Sequence, residues 1–404
     1  MRIGVYIEHG EGNGVGGAEL MMAFLASAWS RTHDVDLVHH RPPLTRERLS
    51  LFSTDDYSRV NIRALPREPE PAVHWDPVRR YRAAREWQAS VSEPYDLFVN
   101  CTHWRPPFSH ARRAVLLVLF PFYTPPWHER GTAALPWWRQ LRHETYYSFE
   151  WRRRLGTYDR TLAISRYSAD WTRRRWRVGP EIVHPPVDVA FERVPKDNLI
   201  VSVGRYSTMA HTKKQAEMVR TFAAMHADGM RGWQYACVGG LNTRAENHAY
   251  FERVRADGAS APVVVEANVP RARVRDLLSR GRIFWHATGL GEDEDTRPEL
   301  AEHFGIATVE AMAAGCVPVV INRGGQSEIV THGRNGFLWN TLDEMKAYTC
   351  QLAEDPALWA QLSDAARRRA SDFTRTRFLE RMSAASGLDA PVGAETSAYL
   401  GAGR

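Results

Sequence analysis

Residues 302–315 of the chain read EHFGIATVEAMAAG. Gly305 stands directly before an apolar helical repeat, and the apolar run Val317–Ile321 follows that repeat. Glu302 and Glu310 are eight positions apart, so one carboxylate precedes the helix and the other lies about a turn inside it. The pattern predicts a turn, a helix and a buried strand in succession, with two carboxylates that can face one ligand.

These residue types suit the recognition of a ligand that carries hydroxyl and phosphate groups. An ionised carboxylate accepts hydrogen bonds from two adjacent hydroxyl groups. The backbone N–H groups of Gly305, Ile306 and Ala307 would be free for phosphate oxygens or hydroxyls, because the first amides of a helix have no acceptor within it. A buried Glu310 without a partner would be costly, so we expect one.

The same alternation of strands and helices extends on both sides of this stretch. It predicts a doubly wound parallel sheet with helices on both faces. The expected strands are Leu199–Val203, Trp233–Val238, Val263–Val265, Ile283–His286 and Val317–Ile321, and the expected helices are Lys214–Ala227, Ala245–Ala256, Arg271–Ser279, Ala307–Ala314, Leu342–Ala353 and Ala357–Ala370.

The N-terminal half predicts a second α/β unit of the same class. Its strand patterns are Ile3–Glu8, Val35–His39, Asn61–Leu65, Leu97–Cys101, Val115–Phe120 and Thr161–Ser165, and its helices include Gly17–Ser30 and Pro77–Ser92. We therefore expect an N-terminal domain at 1–184, a proline-rich linker at 185–198, a C-terminal domain at 199–370, a helix at 371–385 that packs back on the first domain, and a disordered tail at 386–404.

Composition supports a folded protein rather than a fibrous, secreted or membrane-spanning one. The 404 residues are 44% hydrophobic and 25% charged, and the four cysteines show no C-x-x-C spacing, so we expect a reducing cytoplasmic location. No apolar run approaches the roughly 18 residues of a membrane span. The net charge of +6 is modest, and we expect no nucleic-acid partner. A tryptophan- and arginine-rich stretch at 127–176 indicates either peripheral membrane contact or ordinary helix packing.

The first glycine-rich turn has two interpretations. Gly12, Gly14 and Gly17 form a literal G-x-G-x-x-G between a strand and a helix, which is the spacing of a dinucleotide fingerprint. An NAD-dependent oxidoreductase would carry an acidic residue after the second strand, where this chain has His39, His40 and Arg41. The helix that starts at Gly16 and Gly17 can still offer amides to an anion, and a tight structural turn is the alternative.

A second glycine site lies at Gly204, directly before Arg205, and Lys213 and Lys214 follow at the start of a helix. Cations at the carboxyl edge of a parallel sheet can neutralise a diphosphate leaving group without a metal. The alternative is a set of solvent-facing charges.

The acidic run Glu292–Asp295 contains the D-x-D spacing with which some enzymes hold a divalent metal. The run lies in a polar segment, so a solvated loop is the favoured interpretation. We predict no metal site, no cofactor and activity that persists in EDTA.

In combination, the motifs resemble those of the retaining GT-B glycosyltransferases of family 4. Nearly the whole chain shares the resemblance, which rests on the E-x7-E spacing of Glu302 and Glu310, the GIATVEAMAAGCVPVV run, and the motifs GGAE at 16–19, HTKKQ at 211–215, HATGLG at 286–291 and GGQSEIV at 324–330. The resemblance implies two Rossmann-like doubly wound domains that face a cleft. It also implies transfer of a sugar from a UDP- or GDP-sugar to an acceptor such as a glycan, a lipid-linked saccharide or a small molecule.

The resemblance also assigns roles to residues. It implies that Arg205 and Lys213 hold the donor's diphosphate, with Lys214 as the alternative if the alignment shifts by one. It implies that Glu310 holds the ribose hydroxyls and that Glu302 lies against the transferred sugar.

Backbone amides complete the donor site that the resemblance implies. Those of Phe304, Gly305 and Ile306 would meet the sugar hydroxyls or the phosphates. Retention would proceed without a covalent enzyme intermediate, so the protein's task would be positioning and charge stabilisation.

One position departs from the family pattern. Many relatives carry a histidine that contacts the reaction centre where this chain has Leu119. His103 and His128, in the flanking loops, are the candidates to replace it, and a structural role for both is the alternative. A non-catalytic nucleotide-sugar-binding subunit is therefore a further hypothesis.

Overall fold

The computed structural model describes residues 1–7, 16–39, 44–51, 53–65, 77–103, 105–122, 137–208 and 212–389. The chain divides into two compact units. The first contains Met1–Val183 and the segment that begins at Leu379, and the second contains His184–Phe378. Each unit is built on one parallel sheet.

The first unit has a sheet in the order β3-β2-β1-β4-β5-β6-β7 over the described residues. Its strands are β1 (Arg2–Ile7), β2 (Asp34–His39), β3 (Val60–Ala64), β4 (Leu97–Thr102), β5 (Arg113–Val118), β6 (Arg160–Ala163) and β7 (Glu181–Ile182). Its helices are α1 (Gly17–Trp29), α2 (Arg46–Ser50), α3 (Pro77–Ser92), α4 (Trp137–Leu155) and α5 (Arg166–Trp176).

The second unit has a sheet in the order β10-β9-β8-β11-β12-β13. Its strands are β8 (Leu199–Val203), β9 (Gln234–Gly239), β10 (Val263–Ala267), β11 (Ile283–His286), β12 (Val317–Ile321) and β13 (Phe337–Trp339). Its helices are α6 (Gln215–Ala227), α7 (Ala245–Asp257), α8 (Arg271–Arg280), α9 (Ile306–Ala314), α10 (Gln326–Ile329), α11 (Leu342–Glu354) and α12 (Pro356–Ala370), and a last helix, α13 (Arg375–Ala385), crosses the boundary at Leu379.

Both sheets reverse their strand order at the same point. Strand β1 pairs with β2 on one side and β4 on the other, and β8 pairs in the same way with β9 and β11. The carboxyl ends of all these parallel strands meet at one edge of each sheet, and such a switch point is where open α/β folds bind ligands. The α/β class predicted from alternating strands and helices is confirmed.

Most predicted elements exist within one or two residues of their expected bounds, but the shortest were missed. Strand β13 has three residues and α10 has four, so neither shows a period in the sequence. Both follow β12, and α10 contributes to the site described below.

Two expected segments differ from the structure. The stretch 185–198, expected to be a linker, lies on the second unit, where the amide of Val187 donates to the carbonyl of Phe373 and Asp197 pairs with Arg280 at 2.6 Å. Of the tail expected to be disordered, residues 386–389 are placed, and the carbonyl of Gly387 accepts a hydrogen bond from Arg113 at 3.1 Å. Residues 390–404 lie outside the described residues.

The segment that begins at Leu379 is part of the first unit. The indole N–H of buried Trp29 in α1 donates to the hydroxyl of buried Ser383 in α13 at 3.0 Å. Across the part of the chain that the structure describes, no helix has both the length and the apolar character that crossing a membrane requires.

Candidate functional site

The switch point of the second sheet lies between the end of β8 and the end of β11. Gly204 follows β8, and the stem of Lys213 packs directly over it, because a Cβ added to Gly204 would lie 2.6 Å from the Lys213 Cγ. His286 is the last residue of β11. Glycine at 204 therefore lets the Lys213 side chain pass over the end of β8 towards the end of β11.

Three charged or polar side chains meet at this point. The Lys213 ammonium donates to Glu302 Oε2 at 2.5 Å, and His286 Nε2 lies 2.9 Å from the same oxygen. The carboxylate and the ammonium are each less than one-fifth exposed, and His286 is buried. A pair so sheltered from water interacts more strongly than a surface ion pair, so Glu302 is held in one position.

The electrostatics of Glu302 favour its charged form. Burial alone would raise its pKa, but the Lys213 ammonium and the hydrogen bond from His286 outweigh burial and hold the pKa of this carboxyl well below its usual range. Glu302 is therefore a permanent acceptor for donors near it.

His286 is held neutral by its surroundings. Burial lowers the pKa of this imidazole, and the contact with Glu302 only partly opposes that effect. An ionised carboxylate can only accept, so the 2.9 Å contact with Glu302 assigns the ring proton to Nε2. The side-chain amide of Gln326 lies 3.4 Å from Nδ1. His286 was not among the predicted site residues.

The backbone that carries Glu302 is fixed by a glycine turn. The amide of Gly325 donates to the Glu302 carbonyl at 2.6 Å, and a side chain at Gly324 would overlap that same carbonyl oxygen. Gly305 has a φ of +120°, and a Cβ there would lie 2.7 Å from the amide nitrogen of Gln326. The GGQ run at 324–326 therefore packs against the turn that opens α9.

Helix α9 presents its first amides at this edge of the sheet. Gly305 and Ile306 donate no backbone hydrogen bond to any other described residue, as expected at a helix N-terminus. The side chain of Phe304 is buried between the rings of His184 and Phe373, at centroid distances of 5.5 and 5.4 Å. Phe304 can therefore offer only its backbone to a ligand.

Glu310 has a partner that the sequence did not indicate. Arg271, the first residue of α8, donates to Glu310 Oε1 at 2.6 Å, and only a tenth of the Glu310 side chain is exposed. No hydrogen bond or ion pair joins Glu310 to the cluster of Lys213, His286 and Glu302. Both groups lie at the carboxyl edge, because α8 and α9 each begin there.

The two predicted cations at the start of α6 have different partners. Lys213 meets Glu302, whereas the Lys214 ammonium donates to Glu292 Oε1 at 2.9 Å. Arg205 is exposed, and among the described residues it has no carboxylate partner. Of the two lysines, Lys213 is therefore the one beside the glutamate motif.

The sequence led us to expect a solvated loop at the acidic run 292–295. In the structure, carboxylates of this run have partners. Glu292 is bound by Lys214, and Glu294 Oε1 accepts the amide of Gly324 at 2.5 Å. Asp293 accepts the amide of Asp295 at 3.0 Å. Within the described ranges, no three His, Cys, Asp or Glu side chains are grouped so that they could hold a metal ion.

The predicted glycine site of the first unit begins α1. Gly16 is the N-cap residue, and its amide donates to Glu19 Oε2 at 2.9 Å, while Gly17 is exposed. Gly12, Gly14 and His128 lie outside the described residues. Where a nicotinamide site would need a carboxylate, β2 ends in buried His39, whose Nε2 accepts the amide of Leu44 at 3.3 Å.

The remaining candidates follow β4 and β5. His103 comes directly after β4, and its ring lies edge-on to Phe122 at 5.0 Å. Leu119 is buried, and its carbonyl accepts the hydroxyl of Ser168 at 2.7 Å, so its side chain is part of the core.

Comparison with family models accounts for both units. A model described as "Glycosyltransferase Family 4" matches residues 15–191, and one described as "Glycosyl transferases group 1" matches residues 188–369. Among curated proteins, a Dictyostelium discoideum GDP-Man:Man(3)GlcNAc(2)-PP-Dol alpha-1,2-mannosyltransferase is 27% identical over 218 residues, which are 49% of this chain and 40% of that enzyme. The chain thus spans well under two thirds of the length of this relative.

Solved structures show the same fold at low identity. Anabaena HepE in complex with UDP has a TM-score of 0.62 and 16% identity, covering 95% of this chain and 99% of that one. WaaG, a glycosyltransferase involved in lipopolysaccharide biosynthesis, has a TM-score of 0.61 and 14% identity, covering 96% and 99%. With two parallel-sheet domains and family models that together extend from residue 15 to residue 369, the chain belongs to the GT-B glycosyltransferases of family 4.

Proposed function

We propose that this chain transfers a sugar from a UDP- or GDP-sugar to an acceptor, with retention of the anomeric configuration. The observation that carries the proposal is the meeting of Lys213, His286 and Glu302 at the switch point of the second sheet. Arg205 directly follows Gly204, the glycine against which the Lys213 stem packs. The Lys213 ammonium matches the diphosphate of a sugar diphosphate, and the sheltered carboxylate of Glu302 matches its sugar hydroxyls.

The residues divide the task by charge. Arg205 and Lys213 neutralise the negative charge that grows on the diphosphate as it leaves. Glu302, kept ionised, accepts hydrogen bonds from the hydroxyls of the transferred sugar, and the amides of Gly305 and Ile306 bind oxygens of the same ligand. Glu310 accepts hydrogen bonds from the ribose.

The proposed reaction needs no metal. Asp293, the first carboxylate of the D-x-D spacing, already accepts the Asp295 amide and the Thr296 hydroxyl, and Glu292 and Glu294 bind Lys214 and the Gly324 amide. The two cations Arg205 and Lys213 supply positive charge where a metal would otherwise be required. Turnover should therefore be the same in EDTA as in magnesium, and loss of activity on chelation would contradict this part of the proposal.

One alternative has support from a specific observation. Leu119 is a core residue where relatives carry a histidine at the reaction centre, so a nucleotide-sugar-binding subunit without catalysis is the second candidate. The nicotinamide alternative has less support, because His39 stands where that cofactor needs an acid.

The test is a thermal-shift panel of UDP-sugars, GDP-sugars and NAD, followed by donor hydrolysis with the sugars that bind. A ligand that binds only the folded chain raises its unfolding midpoint. We expect a shift with one class of nucleotide sugar, none with NAD, and release of the nucleoside diphosphate. Binding without any release would favour the non-catalytic subunit, and a shift with NAD alone would overturn both.

We also propose a cytoplasmic protein that contacts membranes or a lipid-linked acceptor through α4 and α5. The side chains of Phe149 and Trp138 are about half exposed, and Arg153 and Arg174 lie over the rings of Phe149 and Trp171 at 5.8 and 4.9 Å. Exposed aromatic rings beside arginines suit an anionic lipid surface. Sedimentation with anionic vesicles should weaken in Phe149→Ser, and equal binding to neutral vesicles would contradict the proposal.

A further inference from the structure

The acidic run 292–295, called the acidic loop below, is held by contacts on two sides of the candidate site. On one side the Glu292 carboxylate binds the Lys214 ammonium at 2.9 Å. On the other side Glu294 accepts the amide of Gly324 and lies 3.7 Å from Arg323. The loop therefore links the start of α6 to the turn after β12.

Each of these two attachment points adjoins a residue of the site. Lys214 follows Lys213 in the chain, so the position of one ammonium constrains the backbone that carries the other. Gly324 lies against the Glu302 carbonyl closely enough that no side chain would fit between them. The acidic loop thus connects the backbone next to Lys213 with the backbone next to Glu302. The side chains of these two residues meet at 2.5 Å.

Lys214 also has a backbone conformation that its residue type disfavours. Its φ and ψ are 53° and 38°, in the left-handed region, where Gly and Asn are at ease and a side chain with a Cβ is strained. Such strain persists when surrounding contacts enforce it, and it concentrates at functional sites. The ion pair with Glu292 is a contact able to enforce it, since both side chains are more than three-quarters buried.

We propose that Lys214 and Glu292 are positioning residues: their ion pair holds the left-handed turn at 214 so that Lys213 meets Glu302 at the leaving diphosphate. In this assignment Lys214 acts through Lys213 and does not itself bind the donor. The inference rests on the proposed function, because it concerns the geometry of that donor site.

A charge swap separates positioning from direct donor binding. We expect Lys214→Glu and Glu292→Lys each to lower kcat/KM for donor hydrolysis by at least about tenfold, because small misplacements of a catalytic group are costly. The double variant Lys214→Glu with Glu292→Lys restores the pair with its charges exchanged, and its kcat/KM should return to within about threefold of the original. A double variant as impaired as Lys214→Glu alone would overturn the proposal, because it would mean that the donor needs the positive charge at 214.

Two uncharged variants keep the proposal testable if the swap does not fold. Lys214→Gln removes the ion pair but keeps the Cβ that strains the left-handed turn, so we expect the turn to relax and kcat to fall. Lys214→Gly adopts that turn without an ion pair and should retain more of the original kcat. A purely structural pair would instead lower the midpoint and leave kcat unchanged, which would overturn the proposal. If the original protein neither binds nor hydrolyses any nucleotide sugar, the proposed function fails, whereas an active original protein with an unrescued swap refutes only this inference.

Discussion

The two sheets reverse their strand order at equivalent points but, among the residues that the structure describes, place different chemistry there. In the second unit, the switch point brings Lys213, His286 and Glu302 into contact. In the first unit, the equivalent edge has Gly16, whose amide is bound by Glu19 of its own helix. The comparison teaches that one topology supplies the location of a site, whereas the residues that end its strands decide whether charge is available to a ligand.

The largest effect should come from removing the charge of Glu302 at the switch point of the second unit. Glu302→Gln should lower donor turnover by about 10²–10³-fold, the usual cost of losing one group that stabilises charge in the transition state. The measurement is the steady-state release of nucleoside diphosphate. Glu252→Gln, on an exposed face of α7, is the matched control and should behave as the original protein. Equal turnover in Glu302→Gln would place the site elsewhere.

The next effect should distinguish the two glutamates of the motif from each other. Glu310→Gln should weaken the binding of UDP or GDP by about 10-fold to 100-fold, since a charged acceptor contributes about 1.5–3 kcal/mol to a hydrogen bond. Glu302→Gln should weaken the binding of the nucleotide sugar more than that of the nucleotide alone. Calorimetric titration with both ligands measures this. If both variants bind the free nucleotide equally well, the assignment of Glu310 to the ribose is wrong.

A third prediction compares the glycines that begin one helix in each unit. Gly305→Ala should lower the free energy of unfolding by about 2 kcal/mol, because alanine is strained at a φ of +120° and its Cβ would press on Gln326. The midpoint should fall by about 4–8 °C.

Gly16→Ala is the matched substitution in the first unit. Its backbone is extended, and the new Cβ would meet only the movable end of Glu19 at 2.9 Å. The midpoint should therefore fall less than in Gly305→Ala. A larger fall at Gly16 would show that the first glycine turn has the stricter backbone requirement.

The smallest expected effect is a difference in acid sensitivity. Burial holds the pKa of His286 below its value in the unfolded chain, so the folded form resists a proton that the unfolded form accepts. Stability should therefore fall as the pH drops below about 6.5, the unperturbed value for histidine. Between pH 7 and pH 5 the unfolding midpoint of His286→Asn should fall less than that of the original protein. Identical pH dependence would contradict this assignment.

Much of the fold could be predicted, for reasons visible in particular elements. Strands β8, β11 and β12 are short, near-continuous apolar runs, and their bounds were predicted without error. Strand β13 has three residues and left no periodic signal. The parallel sheets were predicted because strands and helices alternate along the chain, and this alternation is visible in the sequence.

The candidate site was less accessible, because it depends on contacts between distant positions. Glu302 and Lys213 stood out by motif, but His286 joins them only because β8 and β11 are neighbours in the sheet. The pairing of Arg271 with Glu310 spans 39 positions and has no local pattern. Lys213 and Lys214 have different partners, and the backbone at Lys214 is left-handed. A lysine in the sequence does not predict that conformation. The roles proposed for these residues stay predictions.

The hydrogen bond between Trp29 and Ser383 has a consequence for how the protein is made. The first unit includes residues that begin at Leu379, so it cannot be completed when Val183 leaves the ribosome. About 200 further residues must be translated first, which takes roughly 10–40 s at bacterial or eukaryotic speeds of about 5–20 residues per second. During that interval the indole of Trp29 lacks its partner, and the nascent N-terminal half offers an uncovered surface to chaperones.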